Sequence, residues 1–87
     1  MDRLKNKIAV ITGGCSGIGL GTVELFVREG ARVMVGDIDD AAGAALAARF
    51  DGQVAYRHCD VMQESEIEAL MAACAELFVV LDVLFNN

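Results

Sequence analysis

The chain contains no proline, only seven basic residues among 87, a single histidine and no apolar run of membrane length. With 55% hydrophobic residues and a mean hydropathy of +0.46, the absence of proline excludes a disordered or linker-like segment, which lacks the apolar residues needed for a core. Thirteen acidic residues leave a net charge of -6 and an isoelectric point near 4.5. That balance opposes a surface that tracks phosphate, so nucleic acid and anionic membrane are not expected partners. The longest apolar stretch, residues 77–81, is broken by Asp82 and falls far short of the roughly 20 residues of a membrane-spanning helix. The opening residues show neither the apolar core nor the cleavage site of a secretory leader. The expected location is therefore the cytoplasm. Cys15, Cys59 and Cys74 are odd in number and form no C-x-x-C pair, which argues for reduced thiols and against a disulfide framework or a metal site.

What is present is an alternation of short β-branched runs with longer helical ones, the pattern of a parallel sheet built from βαβ units. Length allows one small domain and not two. The first strand is expected over Lys7–Thr12, near-continuously apolar as a central parallel strand covered on both faces must be. The first helix runs from Gly17 to Glu29, with Ile18, Thr22, Leu25 and Phe26 on one face and Gly30 past its end. Gly21 lies inside it, at about 1 kcal/mol relative to alanine unless close packing requires it. Residues 31–37 form the second strand, followed by Asp39 or Asp40 as the cap of an alanine-rich helix reaching about Phe50.

The third strand covers residues 53–59. Its helix carries Ile67, Leu70, Met71, Cys74 and Phe78 on one face, with Glu64 and Glu66 in a first turn that favours negative charge. A fourth strand begins over residues 81–85. Right-handed crossovers then give a Rossmann-type α/β sheet of order 3-2-1-4 with helices on both faces, an incomplete doubly wound fold whose fourth strand is an open edge. His58, in line with Val54 and Tyr56, reads as a half-buried or edge residue with no evident base partner.

The chemistry is concentrated in Thr12-Gly13-Gly14-Cys15-Ser16-Gly17-Ile18-Gly19, which joins the first strand to the first helix. A phosphate site in a doubly wound sheet belongs at this junction. Glycines let the backbone approach an anion closely, and the helix start offers unpaired N–H groups with about half a positive charge. A pyrophosphate can be held there without lysine or arginine, so the acidic composition does not oppose a dinucleotide. Asp37 lies 18 residues past Gly19, near the spacing at which an acidic residue takes the adenosine ribose hydroxyls in NAD sites. A carboxylate about 4 Å from a 2′-phosphate repels it by up to about 4 kcal/mol at an effective dielectric of about 20. Neither Cys15 nor Ser16 is basic, so NAD is expected over NADP. Cys15 itself reads better as a packed loop residue than as a reactive thiol.

The string T-G-G-C-S-G-I-G resembles the T-G-x-x-x-G-I-G fingerprint of the short-chain dehydrogenase/reductase family. Asp37 after the second strand, Asp60-Val61 after the third, and Asn86-Asn87 where that family's N-N-A-G motif begins follow in the same order. The resemblance implies that Gly13, Ser16, Gly17, Ile18 and Gly19 line the pyrophosphate, Asp60 and Val61 the adenine, and Asn86 or Asn87 the middle of the cofactor. Cys15 and Ile38 join these and Asp37 as cofactor-binding candidates. It also implies hydride transfer between NAD and an alcohol or carbonyl substrate, by a serine and a Tyr-x-x-x-Lys pair that would follow Asn87. The only tyrosine, Tyr56, has Asp60 four residues later, and no catalytic residue is expected within the chain.

Residues 1–87 are therefore expected to be the N-terminal part of an NAD-binding domain. Two other readings stay open: a stand-alone half-Rossmann binding module, paired as a homo-oligomer through the exposed fourth strand, and a purely structural unit. Val79-Val80 stands where the family commonly has a helix-ending glycine, which leaves the end of the third helix undetermined.

Overall fold

A computed structural model of the chain describes the backbone of residue 5 and residues 7–15, 17–78 and 83–86, and the side chains among these up to residue 73. The elements are β1 (Ile8–Thr12), α1 (Gly17–Arg28), β2 (Arg32–Asp37), α2 (Asp40–Arg49), β3 (Val54–His58), α3 (Glu64–Phe78) and β4 (Val83–Asn86). Their number and order are those expected, with boundaries displaced by one or two residues where strand and helix ends fray. The fourth strand is described over Val83–Asn86, and Val79, Val80, Leu81 and Asp82 lie outside the described residues.

The sheet is parallel with order β3-β2-β1-β4, and β1 is buried along its whole length. Alternation along each strand feeds two cores. Ile11, Val33, Val35 and Val54 meet Val23 and Val27 of α1 and Leu46 of α2 on one side. Ile8, Val10 and Met34 meet Cys59 and Leu70 on the other. Each such aliphatic side chain contributes about 1.5–3 kcal/mol on burial, so a charge introduced at Val10 would leave no face on which the strand could hide it. The α2 start is fixed by Asp39, whose side chain accepts from Ala42 N at 3.0 Å, as an N-cap should.

The face expected for α1 packs only in part: Phe26 lies against the core, but the most deeply buried row is another. Gly19, Val23 and Val27 are buried, whereas Ile18 is 74% and Leu25 44% exposed. The apolar stripe of this helix is broad, and the row spaced by four that includes a residue without a side chain lets the helix axis approach the sheet most closely. On α3 the expected face is correct for Leu70, which is buried, and for Ile67 and Met71 packed beside it; Cys74 and Phe78 carry no described side chains.

Two glycines inside helices behave oppositely. A Cβ at Gly21 would meet nothing within 4 Å, whereas one at Gly43 would overlap the Tyr56 ring, which lies across α2. Gly21→Ala is expected to raise stability by about 0.5–1 kcal/mol through helix propensity and reduced chain entropy. Gly43→Ala is expected to lower it by about 1–3 kcal/mol through overpacking. Urea unfolding midpoints check both; equal stabilisation by the two substitutions would mean that the ring does not rest on α2.

Candidate functional site

The parallel register brings the carboxyl ends of β1, β2 and β4 to one edge, with Thr12 paired to Gly36 on one side and Asn86 on the other. The glycine loop leaves from this row. Gly13 and Gly17 have φ of 66° and 58°, left-handed conformations that favour glycine. Gly13 N donates to Gly36 O at 2.7 Å. Gly14, not singled out in the sequence, is buried: a Cβ there would press on Val35 and Val23, so its absence lets the loop lie flat against β2 and α1. Gly19 is buried in the first turn of α1, while Ile18 stands out beside it. Ser16 and Asn87 lie outside the described residues, and of Asn86 only the backbone position in β4 is described.

Asp37 closes β2 and reaches across to the loop. Its Oδ2 accepts from Cys15 N at 3.1 Å and its Oδ1 from Asp39 N at 3.1 Å. Partial burial alone would raise this carboxyl, but hydrogen bonds from the Asp39, Cys15 and Ile38 backbone and the Cys15 thiol outweigh it and hold it below the usual carboxylate range. The same pair acts in the other direction on the cysteine. Burial first, then the Asp37 charge and the hydrogen bond to it, push the Cys15 thiol up to about 12. Cys15 is half-buried and packs against the α1–α2 core, a loop residue and not an activated thiolate, despite the helix start nearby.

Asp37, Ile38, Gly13, Asp60 and Val61 line one groove of about 270 Å³ at the sheet edge. Five residues expected from separate parts of the sequence thus come together. Cys59 and Met62 complete the lining and were not anticipated. Cys59 is a core residue whose N–H donates to Asp37 O at 2.9 Å, so it forms the floor. Met62 is 84% exposed and is turned back by its own N–H, which donates to Asp60 Oδ1 at 3.0 Å. Asp60 N donates to Glu66 Oε1 at 2.9 Å, which ties this wall to the start of α3.

His58 does have a carboxylate partner, contrary to the sequence reading. Its Nδ1 lies 2.9 Å from Asp40 Oδ1, with both side chains exposed. The hydrogen bond to Asp40, ahead of the attraction of nearby Asp40, Glu66 and Asp60, raises the imidazole. Asp40 is lowered by hydrogen bonds from Tyr56 and His58 in turn. The pair forms because β3 and the first turn of α2 are neighbours in space, 18 residues apart in sequence.

The groove offers a carboxylate acceptor, apolar walls from Ile38, Val61 and Met62, and a glycine loop feeding a helix start. Its volume is near the small end of ligand sites, about 300 Å³. The family model for the short chain dehydrogenases matches residues 7–87. The chain belongs to the short-chain dehydrogenase family. Within it, the chain is 47% identical over 85 residues to tropinone reductase-like 2 of Erythroxylum coca, matching 98% of this chain and 31% of that protein. It is 48% identical to a 2,5-dichloro-2,5-cyclohexadiene-1,4-diol dehydrogenase of Sphingobium indicum, matching 100% of this chain and 35% of that protein. In structure it is similar to a 3-ketoacyl-(acyl-carrier-protein) reductase from Brucella melitensis complexed with NADH, at a TM-score of 0.89 and 31% identity over 93% of this chain and 33% of that one. The chain thus spans about a third of the length of these short-chain dehydrogenases. Among the described residues no helix is long and apolar enough to cross a membrane, and no cluster of potential metal ligands occurs.

The opposed shifts at Cys15 and Asp37 have a chemical consequence. Alkylation of Cys15 by iodoacetamide at pH 8, resolved by peptide mass spectrometry, is expected to be at least about tenfold slower than that of an unperturbed thiol, because the thiolate is the nucleophile. Asp37→Asn removes a nearby charge and is expected to accelerate it. Unchanged reactivity in that variant would mean that the carboxylate does not face the thiol.

Proposed function

We propose that this chain binds the adenosine and pyrophosphate portions of NAD in an oxidoreductase that moves hydride between NAD and an alcohol or carbonyl substrate. The observation that carries the reading is Asp37, fixed at the end of β2 against the glycine loop and lining the same groove as Ile38, Asp60 and Val61. The NADH complex of the similar Brucella reductase supports the choice of cofactor. In this reading Gly13, Cys15, Ser16, Gly17, Ile18 and Gly19 surround the pyrophosphate, which the α1 start holds by backbone N–H groups. Asp37 accepts the ribose hydroxyls. Ile38 and Asp60-Val61 flank the adenine, and Asn86 and Asn87 lie toward the middle of the cofactor.

Bound NAD supplies the hydride chemistry; the residues of this chain bind and orient it. Asp37 selects against a 2′-phosphate because its carboxylate stays ionised and is held in place. None of the 87 residues is given a catalytic role, and residues 1–87 are assigned as the first part of the cofactor domain, with the catalytic machinery beyond it. A cytoplasmic setting suits the free thiols of Cys15 and Cys59.

Titration with NADH, NADPH and ADP tests the reading. NADH is expected to bind at least about tenfold more tightly than NADPH, a difference of about 1.4 kcal/mol, with ADP retaining part of the affinity. Asp37→Ala is expected to erase most of that preference. A preference unchanged in this variant would overturn the ribose role.

The end position of β4 in the sheet order, paired to β1 among the described residues, favours one second reading: a binding module that associates with its own copy through this strand, since an edge strand templates further pairing. Sedimentation over a hundredfold concentration range checks it. A species that stays at the 9.2 kDa of one chain throughout overturns self-association.

A further inference from the structure

We propose that Tyr56 is a positioning residue for the Asp37 carboxylate and thereby a determinant of the preference for NAD over NADP; the inference rests on the ribose role assigned to Asp37. The Tyr56 hydroxyl lies 2.7 Å from Asp37 O and 2.6 Å from Asp40 Oδ1. It therefore spans both ends of the turn that connects β2 to α2. The Asp37 side chain closes that same turn from within, through Oδ1 and Asp39 N. Any opening of the turn moves Asp39 N, and with it the carboxylate that faces the groove.

Three observations set Tyr56 apart from an ordinary packing residue. The hydroxyl has one proton for two acceptors, one of them a carboxylate, so this contact is charge-assisted and short. The ring is seated on Gly43, where a side chain would displace it, which fixes the height of the hydroxyl above the turn. The joining of β3 to α2 has a second contact in His58 and Asp40, but there the imidazole bonds Asp40 alone, and His58 meets Asp37 only as its backbone partner across β2 and β3. Tyr56 alone of the two couples the helix start to the residue expected to read the ribose. The carboxylate is then held from two directions, by the loop through Cys15 N and by the stapled turn through Asp39 N.

The test is the affinity for NADH and NADPH of the protein at its full natural length, in the parent, Asp37→Asn, Tyr56→Phe and the double variant, with thermal melts of each in the absence of cofactor. Tyr56→Phe keeps the ring on Gly43. It is expected to weaken NADH binding and reduce the NADH to NADPH preference by about fivefold or more, the lower range of a coupling between sites. In the Asp37→Asn background the same substitution is expected to change the preference little, because a residue acting through Asp37 has nothing left to position.

Asp40→Ala provides a second arm should the tyrosine variant fold poorly. It removes a negative charge near an anionic cofactor, which by electrostatics alone would tighten NADH binding; loss of the staple is expected to weaken it instead. If Asp37→Asn abolishes the preference while Tyr56→Phe and Asp40→Ala leave NADH affinity and preference at parent values, the positioning role is overturned and the ribose role stands. If Asp37→Asn itself has no effect, both are overturned.

Discussion

The burial of β1 on both faces is the constraint from which the rest of the structure follows. A parallel strand with no solvent face needs covering layers on each side, and the long crossovers that parallel neighbours require supply them as helices. Val33 and Val35 then face one layer while Met34 faces the other. Every strand runs the same way, so every turn out of a strand emerges at one edge. Binding groups gathered from positions 13, 37 and 60 become neighbours there without any one of them being placed by local sequence. The groove is a product of topology, and the residues in it are what the sequence adds.

In the proposed reading, Asp37 carries two demands at that edge. It is used by the fold, since two backbone N–H groups bond its two oxygens, and in that reading it also accepts from a ribose. An ionised carboxylate has about four lone-pair sites, so two structural donors leave capacity for a pair of ribose hydroxyls. The structural bonds also serve recognition: they keep the group ionised against the cost of partial burial and remove rotational freedom that binding would otherwise have to suppress. A side chain held in this way discriminates by position, which a freely rotating surface aspartate cannot do.

The parts legible in the sequence are those fixed by periodicity and spacing along the chain. The β1–loop–α1 junction was readable because strand periodicity stops at glycines whose spacing has a steric meaning, and the left-handed Gly13 and Gly17 are the result. Asp37 was readable because its distance from the loop is set by one helix and one strand of ordinary length. The packing face of α1 was not, because Ile18 and Leu25 are as apolar as Val23 and Val27, and only the height of the helix over the sheet decides between the two rows. The pairing of Tyr56 and His58 with Asp40 was invisible for a related reason. It depends on which turn of α2 lies over β3, and no local pattern reports an alignment between elements 16 to 18 residues apart. Met62 was missed because exposed methionine carries no signal until a groove is seen beside it.

In the proposed reading, similarity to proteins of unlike names has its own physical logic. Proteins named for tropinone reduction, for a chlorinated cyclohexadienediol and for a ketoacyl group share close similarity with these residues, although such substrates have little chemistry in common. A region selected to contact substrate would diverge among them. One that contacts only the adenosine end of a common cofactor need not, since its ligand is the same in each case. Similarity across proteins of such unlike names is what the proposed role at the adenosine end leads one to expect. Binding energy gathered at the adenosine end fixes the cofactor at a distance from the reacting carbon, where proximity and orientation, not further contacts, determine the rate.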